Sequence, residues 1–112
     1  NALKHFENQK VKFLVFTGGS RTGDDKDDIL WAKKTFKKDN FYVSETNDPM
    51  KDFAMIMSCD HNITCHLTTF GWWAAYLNTN SNKKVIAPKN YFYDQPSHYK
   101  RPGFFPDDWI LT

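Results

Sequence analysis

With 112 residues the chain has room for one domain and a modest core. Aromatic residues make up 17% of it, with four Trp and ten Phe, which argues against a disordered chain and for a packed globule or part of one. Fifteen basic and thirteen acidic residues leave a formal net charge of +2, so bulk electrostatics give no ground for binding nucleic acid or a membrane surface.

Residues 1–10 are polar and unpatterned, as expected of a connector, and the opening on Asn1 rather than Met points to a processed form or a piece of a longer chain. An apolar run over 11–16, interrupted by Lys12 and rich in β-branched and aromatic residues, predicts a buried strand. Thr17-Gly18-Gly19-Ser20-Arg21-Thr22-Gly23 reads as a loop, and the acidic residues at 24–28 then open a helix. Ile29, Ala32 and Phe36 share one face of that helix, and lysines crowd its end, where they suit the dipole. Lys33, Lys34, Lys37 and Lys38 sit beside acidic neighbours and read as a solvated face. A second strand is expected over 41–44. Asp48-Pro49 marks the next helix, with Asp48 as N-cap, Pro49 as the first helical residue, and Met50, Phe53 and Met57 as its apolar stripe.

The third strand is expected over 62–65, the third helix over 69–77, a polar turn over 78–83, and a fourth strand over 84–87, ended by Pro88. Alternation of strand and helix throughout is the mark of an α/β unit with a parallel sheet and flanking helices. Past Pro88 an aromatic, proline-rich tail over 89–112 is expected to pack without regular structure, apart from a short helical turn at 107–109. No repeat or domain boundary interrupts the pattern. The longest apolar run, 72–77, falls far short of the ~20 residues that span a bilayer, so no membrane contact is expected from these residues.

Ligands of an open parallel sheet bind outside the carboxyl ends of its strands, which singles out the loops after the first and third strands. The first begins like a phosphate-binding loop at Gly18 and Gly23. Asp24 and Asp25 then stand where Lys and Ser or Thr are needed, which argues against an ATPase. Near the second loop Cys59, His61, Cys65 and His66 look like zinc ligands. An extended strand cannot converge its two ends on one ion, nor bring the two cysteines within disulfide reach, so no metal is expected. Asn62-Ile63-Thr64 is formally a glycosylation acceptor, yet its place in a buried strand argues against modification. The third helix opens on Thr68 and Thr69 and is apolar on nearly every side. Unpaired backbone N–H groups, the dipole and two hydroxyls suit such a helix start to a phosphate. The alternative is a threonine that merely caps a core helix.

The wording of this stretch is more specific. Cys59-x-His61-x-Ile63, then Thr68-Thr69-Phe70, then Gly71-Trp72-Trp73-Ala74-Ala75-Tyr76-Leu77-Asn78 and Lys84-Val85-Ile86-Ala87-Pro88, resembles the C-terminal signature of the galactoside 2-alpha-L-fucosyltransferase family. The resemblance implies a GT-B architecture of two Rossmann-like lobes, with residues 1–112 as the C-terminal lobe that holds GDP-fucose. It implies that Thr68, Thr69 and Phe70 hold the diphosphate, and that Asp27 and Asp28 accept hydrogen bonds from the N1 and N2 amines of guanine. Without it, Asp27 caps the first helix and Asp28 offsets its dipole. Trp72 and Trp73 are expected to be core residues.

The implied reaction transfers L-fucose from GDP-fucose to a hydroxyl of a galactose-terminated glycan, in alpha-1,2 linkage and with inversion, without a metal or other cofactor. The family's arginine-bearing motif is absent, Arg21 and Arg101 being the only arginines, so no catalytic residue is assigned and a missing N-terminal lobe becomes an implied partner. The family's usual setting is the lumenal side of the Golgi membrane, behind an upstream anchor. A non-catalytic nucleotide-binding module and an unrelated α/β domain stay open as alternatives.

Overall fold

The computed structural model describes residues 1–18, 26–65, 68–89 and 103–112. They divide into two compact units, an N-terminal one over Leu3–Asp52 and a C-terminal one over Phe53–Thr112 with Asn1–Ala2. Strands β1 (Phe13–Val15), β2 (Phe41–Val43), β3 (Asn62–Ile63), β4 (Val85–Ala87) and β5 (Ile110–Leu111) alternate with helices α1 (Lys26–Thr35), α2 (Pro49–Met57) and α3 (Thr69–Leu77). The class is α/β with parallel sheets, as expected. The strands form two ladders, β1-β2 and β3-β4-β5, in place of one sheet.

In the N-terminal unit Phe13, Leu14 and Val15 pair in parallel with Phe41, Tyr42 and Val43. One face of this ladder is aromatic: Phe13 stacks on Phe41 at 4.7 Å, Phe41 on Phe36 at 5.3 Å, and Phe36 meets Trp31 edge-on at 6.3 Å. Each such pair adds about 0.5–1.5 kcal/mol beyond area burial. Ala32, the fully buried residue of α1, lets the helix approach closely. The opposite face, with Leu14 and Tyr42, is open, so β1 is half-buried where a fully buried strand was expected. Residues 1–10 also differ from expectation. Ala2–Phe6 form a 3-10 helix whose Phe6 is buried and meets Phe13 edge-on, so this segment is a lid on the aromatic face and not a connector.

The start of α2 is tightly specified. Asp48 Oδ1 accepts from the Met50 and Lys51 N–H groups at 3.0 and 3.3 Å, as its N-cap role requires. Asn47 adopts φ 49°, a left-handed conformation that Asn tolerates better than most residues. Thr46 and Ser44 both donate to Asp52 Oδ1, fixing the preceding turn. Met50, placed in the apolar stripe by its spacing, is 75% exposed, because the first turn of α2 faces solvent on that side.

In the C-terminal unit β4 lies between β3 and β5, parallel to both. With a strand on each side it is buried at all three positions. Val85 and Ala87 share a core with Ala75 and Trp109, and Trp72 and Phe105 pack against it. Strand β5 lies in the tail expected to lack regular structure, and Trp109 anchors it there. The Thr112 N–H donates to Ala87 and the Lys89 N–H to Thr112, which locks this edge.

Helix α3 runs over Thr69–Leu77 as its sequence predicts, but its faces were harder to assign. Ala74 and Ala75 are fully buried, whereas Trp73 is 49% exposed and joins Phe70, Tyr76 and Leu77 on an outward apolar face. Trp73 is therefore not a core residue. A helix without a polar side carries no phase from which the inward face can be read. Gly71 keeps an ordinary helical backbone, and a Cβ there would meet only the Thr68 methyl at 3.9 Å. Gly71→Ala is expected to stabilise the unit by about 0.5–1 kcal/mol, seen as a rise of several degrees in the thermal midpoint.

The far end of α3 is fastened by polar side chains. Asn78, 4% exposed, donates to the Cys59 carbonyl at 2.7 Å and to Asn62 Oδ1 at 2.8 Å, and accepts from the Asn80 N–H at 2.9 Å. Asn62 in turn donates to the Ile56 carbonyl at 2.8 Å. Lys83 Nζ donates to the carbonyls of Ala75, Tyr76 and Asn78, placing a cation on the negative end of the helix.

Candidate functional site

The carboxyl end of β3 leads through Thr64 and Cys65 toward α3. The Thr64 N–H donates to Ile86 at 2.9 Å, which fixes this end against β4; residues 66–67 lie outside the described set. Thr68 occupies the N-cap position in extended conformation, φ −118° and ψ 119°, and its side chain makes no capping hydrogen bond. Thr69 and Phe70 form the exposed start of the helix, with Phe70 edge-on to Phe53 at 5.2 Å. No acidic residue stands in the first turn, so nothing there offsets the positive end of the dipole, and Lys83 covers the negative end.

Beside it lies a cavity of about 230 Å³ lined by Thr69, Trp72, Trp73, Gly103 and Phe104. Trp72 stacks on Tyr76 at 5.3 Å, nearly parallel, and touches Phe104 at 5.7 Å and Trp109 at 5.3 Å. Its indole Nε1 is buried with no hydrogen-bond partner among the described residues. Of the candidate residues named from sequence, Thr69 lines this cavity; Gly103 and Phe104 were not among them. The Pro102-Gly103-Phe104-Phe105-Pro106 string was the available signal, since such a turn projects aromatics from a fixed bend, and Gly103 has φ 76°.

A second cavity, of about 440 Å³, lies in the N-terminal unit and is lined by Gln9, Lys10, Val11, Lys12, Asp39, Asn40 and Tyr42. It sits where β1 and β2 begin, the opposite end of a parallel ladder from the one where βα loops hold a ligand, and no candidate residue lines it. Asp27 and Asp28 are exposed in the first turn of α1. The glycine loop before them is described only as far as Gly18, and Arg21 and Arg101 lie outside the described residues.

Cys59 Sγ donates to the Met55 carbonyl at 3.2 Å, and His61 Nδ1 accepts from the Lys84 N–H at 3.0 Å, so both are engaged at element ends. His66 lies outside the described residues. Both cysteines are free. Burial pushes both thiols above their ordinary range, reinforced by Asp60 at Cys59 and partly offset by a backbone hydrogen bond at Cys65, so neither is a ready thiolate. Among the described residues no group of three or more His, Cys, Asp or Glu could hold a metal ion, and no helix is long and apolar enough to cross a membrane.

Parallel ladders flanked by helices are consistent with a glycosyltransferase lobe. The chain belongs to glycosyl transferase family 11, whose sequence model matches residues 1–112. It is similar to the O-antigen biosynthesis glycosyltransferase WbnK of Escherichia coli, 37% identical over 70 residues, which is 59% of this chain and 23% of WbnK. It is also similar to galactoside alpha-(1,2)-fucosyltransferase 2 of Oryctolagus cuniculus, 38% identical over 65 residues, or 55% of this chain and 17% of that protein. A third relative is galactoside 2-alpha-L-fucosyltransferase Sec1 of Mus musculus, 38% identical over 56 residues, or 46% and 15%. The chain thus spans less than a quarter of each of these relatives. No solved structure matches it significantly.

Proposed function

We propose that this chain is the donor-binding part of a GT-B fucosyltransferase, and that the whole protein transfers L-fucose from GDP-fucose to a galactoside hydroxyl in alpha-1,2 linkage with inversion. The observation that carries the reading is the start of α3 in a family 11 chain, with Thr69 exposed and a first turn free of acid. In the reaction the acceptor oxygen bonds to the anomeric carbon as the bond from that carbon to the diphosphate oxygen breaks. GDP leaves with the electron pair, and the acceptor's proton passes to a base. The N–H groups of the first turn and the Thr69 hydroxyl meet the charge that grows on the leaving diphosphate, in place of a metal ion. The base, an arginine to share that charge and the acceptor glycan's seat are assigned to parts of the whole protein beyond these residues. A lumenal Golgi setting is proposed only for a eukaryotic source, since WbnK is bacterial.

Calorimetry of the 112-residue chain tests the reading. GDP is expected to bind in preference to ADP, and Thr69→Ala to weaken GDP about 10- to 100-fold, the worth of one charge-assisted hydrogen bond. Equal binding of GDP and ADP, or indifference to Thr69→Ala, would sink it.

A further inference from the structure

We propose that the cavity at the start of β1 and β2 is a glycan-binding site that seats a neutral hexose ring against Tyr42. The site goes beyond the reading of α3 and does not rest on it, because every residue that lines it belongs to the N-terminal unit. Its volume of about 440 Å³ falls within the ~300–1,000 Å³ of small-molecule sites. Tyr42 supplies the platform. Its side chain is 49% exposed on the open face of the ladder, in register with Leu14, which is 37% exposed. Parallel strands are ordinarily covered on both faces, so an uncovered ring there stands out. The negative face of such a ring attracts polarised C–H groups, and one side of a pyranose is made of them. Ligands gripped by βα loops lie at the other end of the strands, but a platform on the sheet face needs no such loop.

Polar groups of both senses surround the ring. Lys10 and Lys12 only donate, Asp39 only accepts, and the Gln9 amide does both; all four are exposed. Lys12 Nζ stands 5.9 Å from the centre of the Tyr42 ring. Asn40 is held in place from two sides: its Nδ2 donates to the Val11 carbonyl at 3.3 Å, and its own carbonyl accepts from the Phe13 N–H at 2.7 Å. Its Oδ1 is therefore a positioned acceptor. This set works against the other classes of small ligand. Asp39 opposes an anion, the two lysines oppose a cation, and an apolar ligand would take water from all three charges and return nothing. What remains is a neutral ligand with one apolar side and groups that donate and accept at once. A sugar ring is that ligand, since its neighbouring hydroxyls donate to Asp39 and accept from a lysine in the same complex. In a glycosyltransferase such a site tethers a glycan by a unit other than the one modified.

Amide NMR of the 112-residue chain, with lactose as the probe, tests the site. Saturable shifts are expected at residues 9–12 and 39–42, with a dissociation constant of about 1–10 mM, as a few solvent-facing contacts give. Tyr42→Ala is expected to weaken lactose by at least about 10-fold, and Tyr42→Phe, which keeps the ring, to leave it within about three-fold. Asp39→Ala, in the turn before β2 and outside the ladder, is expected to weaken it about 3- to 10-fold. Sorbitol, which has hydroxyls but no ring, and inorganic phosphate are expected to shift none of these amides. No saturable lactose shift at these residues, a shift that survives Tyr42→Ala, or equal shifts from sorbitol or phosphate overturns the site. GDP is titrated into the same sample. A GDP response at α3 without a lactose response removes the glycan site and leaves the donor reading standing; the converse removes the donor reading alone. GDP shifts at 9–12 and 39–42 would give the cavity to a nucleotide and overturn the proposal.

Discussion

Trp109→Ala is expected to remove about 3–5 kcal/mol of stability from the C-terminal unit, the range for deleting a large buried aromatic. The residue is 7% exposed, packs in one cluster with Ala75, Val85 and Ala87, and lies 5.3 Å from the Trp72 ring and 5.9 Å from Phe105. Few domains have more than about 5–15 kcal/mol to lose, so this one change takes a large share. Because β5 begins at the next residue, the loss has an address. The Thr112 and Lys89 amides, which bond across that edge, should lose hydrogen-exchange protection before the amides of α1 do. A urea midpoint that shifts by less than the equivalent of 1 kcal/mol, or uniform deprotection, would show that Trp109 is not the anchor.

The second large effect is at Asn78. Replacing it with alanine removes three hydrogen bonds and leaves Asn62 Oδ1 and the Cys59 carbonyl without that donor, at an expected cost of about 2–4 kcal/mol. Asn78→Asp should cost more at neutral pH, since a carboxylate turns a lone pair toward two acceptors. Burial would raise that carboxyl above its unfolded value, so the folded state binds the extra proton. Stability is then partly recovered as pH falls through the raised value and is lost as pH rises through it. A flat pH dependence for Asn78→Asp, relative to Asn78→Ala, would contradict the network as drawn.

What could be read from the chain alone follows from which signals are local. The Asp48-Pro49 start of α2 and both ends of α3 were legible because a cap, a proline and a terminal asparagine act within one turn of themselves. The strands are shorter than their apolar runs because a ladder extends only as far as its partner, and no residue in 11–16 or 62–65 announces where the partner stops. Two ladders in place of one sheet is the same ignorance on a larger scale. Strand β5 has two paired residues, too few for any period, and Phe6 is a single apolar residue in a polar segment. Thr68 and Thr69 stand out as candidates from their place after a strand. The cavity beside α3 does not, because its far wall comes from Gly103 and Phe104, distant in sequence and brought near by packing.

The tryptophans divide unevenly between the two units, and that decides what light reports. Trp31, which belongs to the N-terminal unit, is 61% exposed, so its emission is already near that of a solvated indole and changes little on unfolding. Trp72 and Trp109 sit in or against the core of the C-terminal unit, so the red shift of a melting chain comes from them. A fluorescence melt therefore watches one unit and is nearly blind to the other, while circular dichroism weighs the helices of both. Where the two curves part, the units are melting separately, and a single midpoint no longer describes the protein.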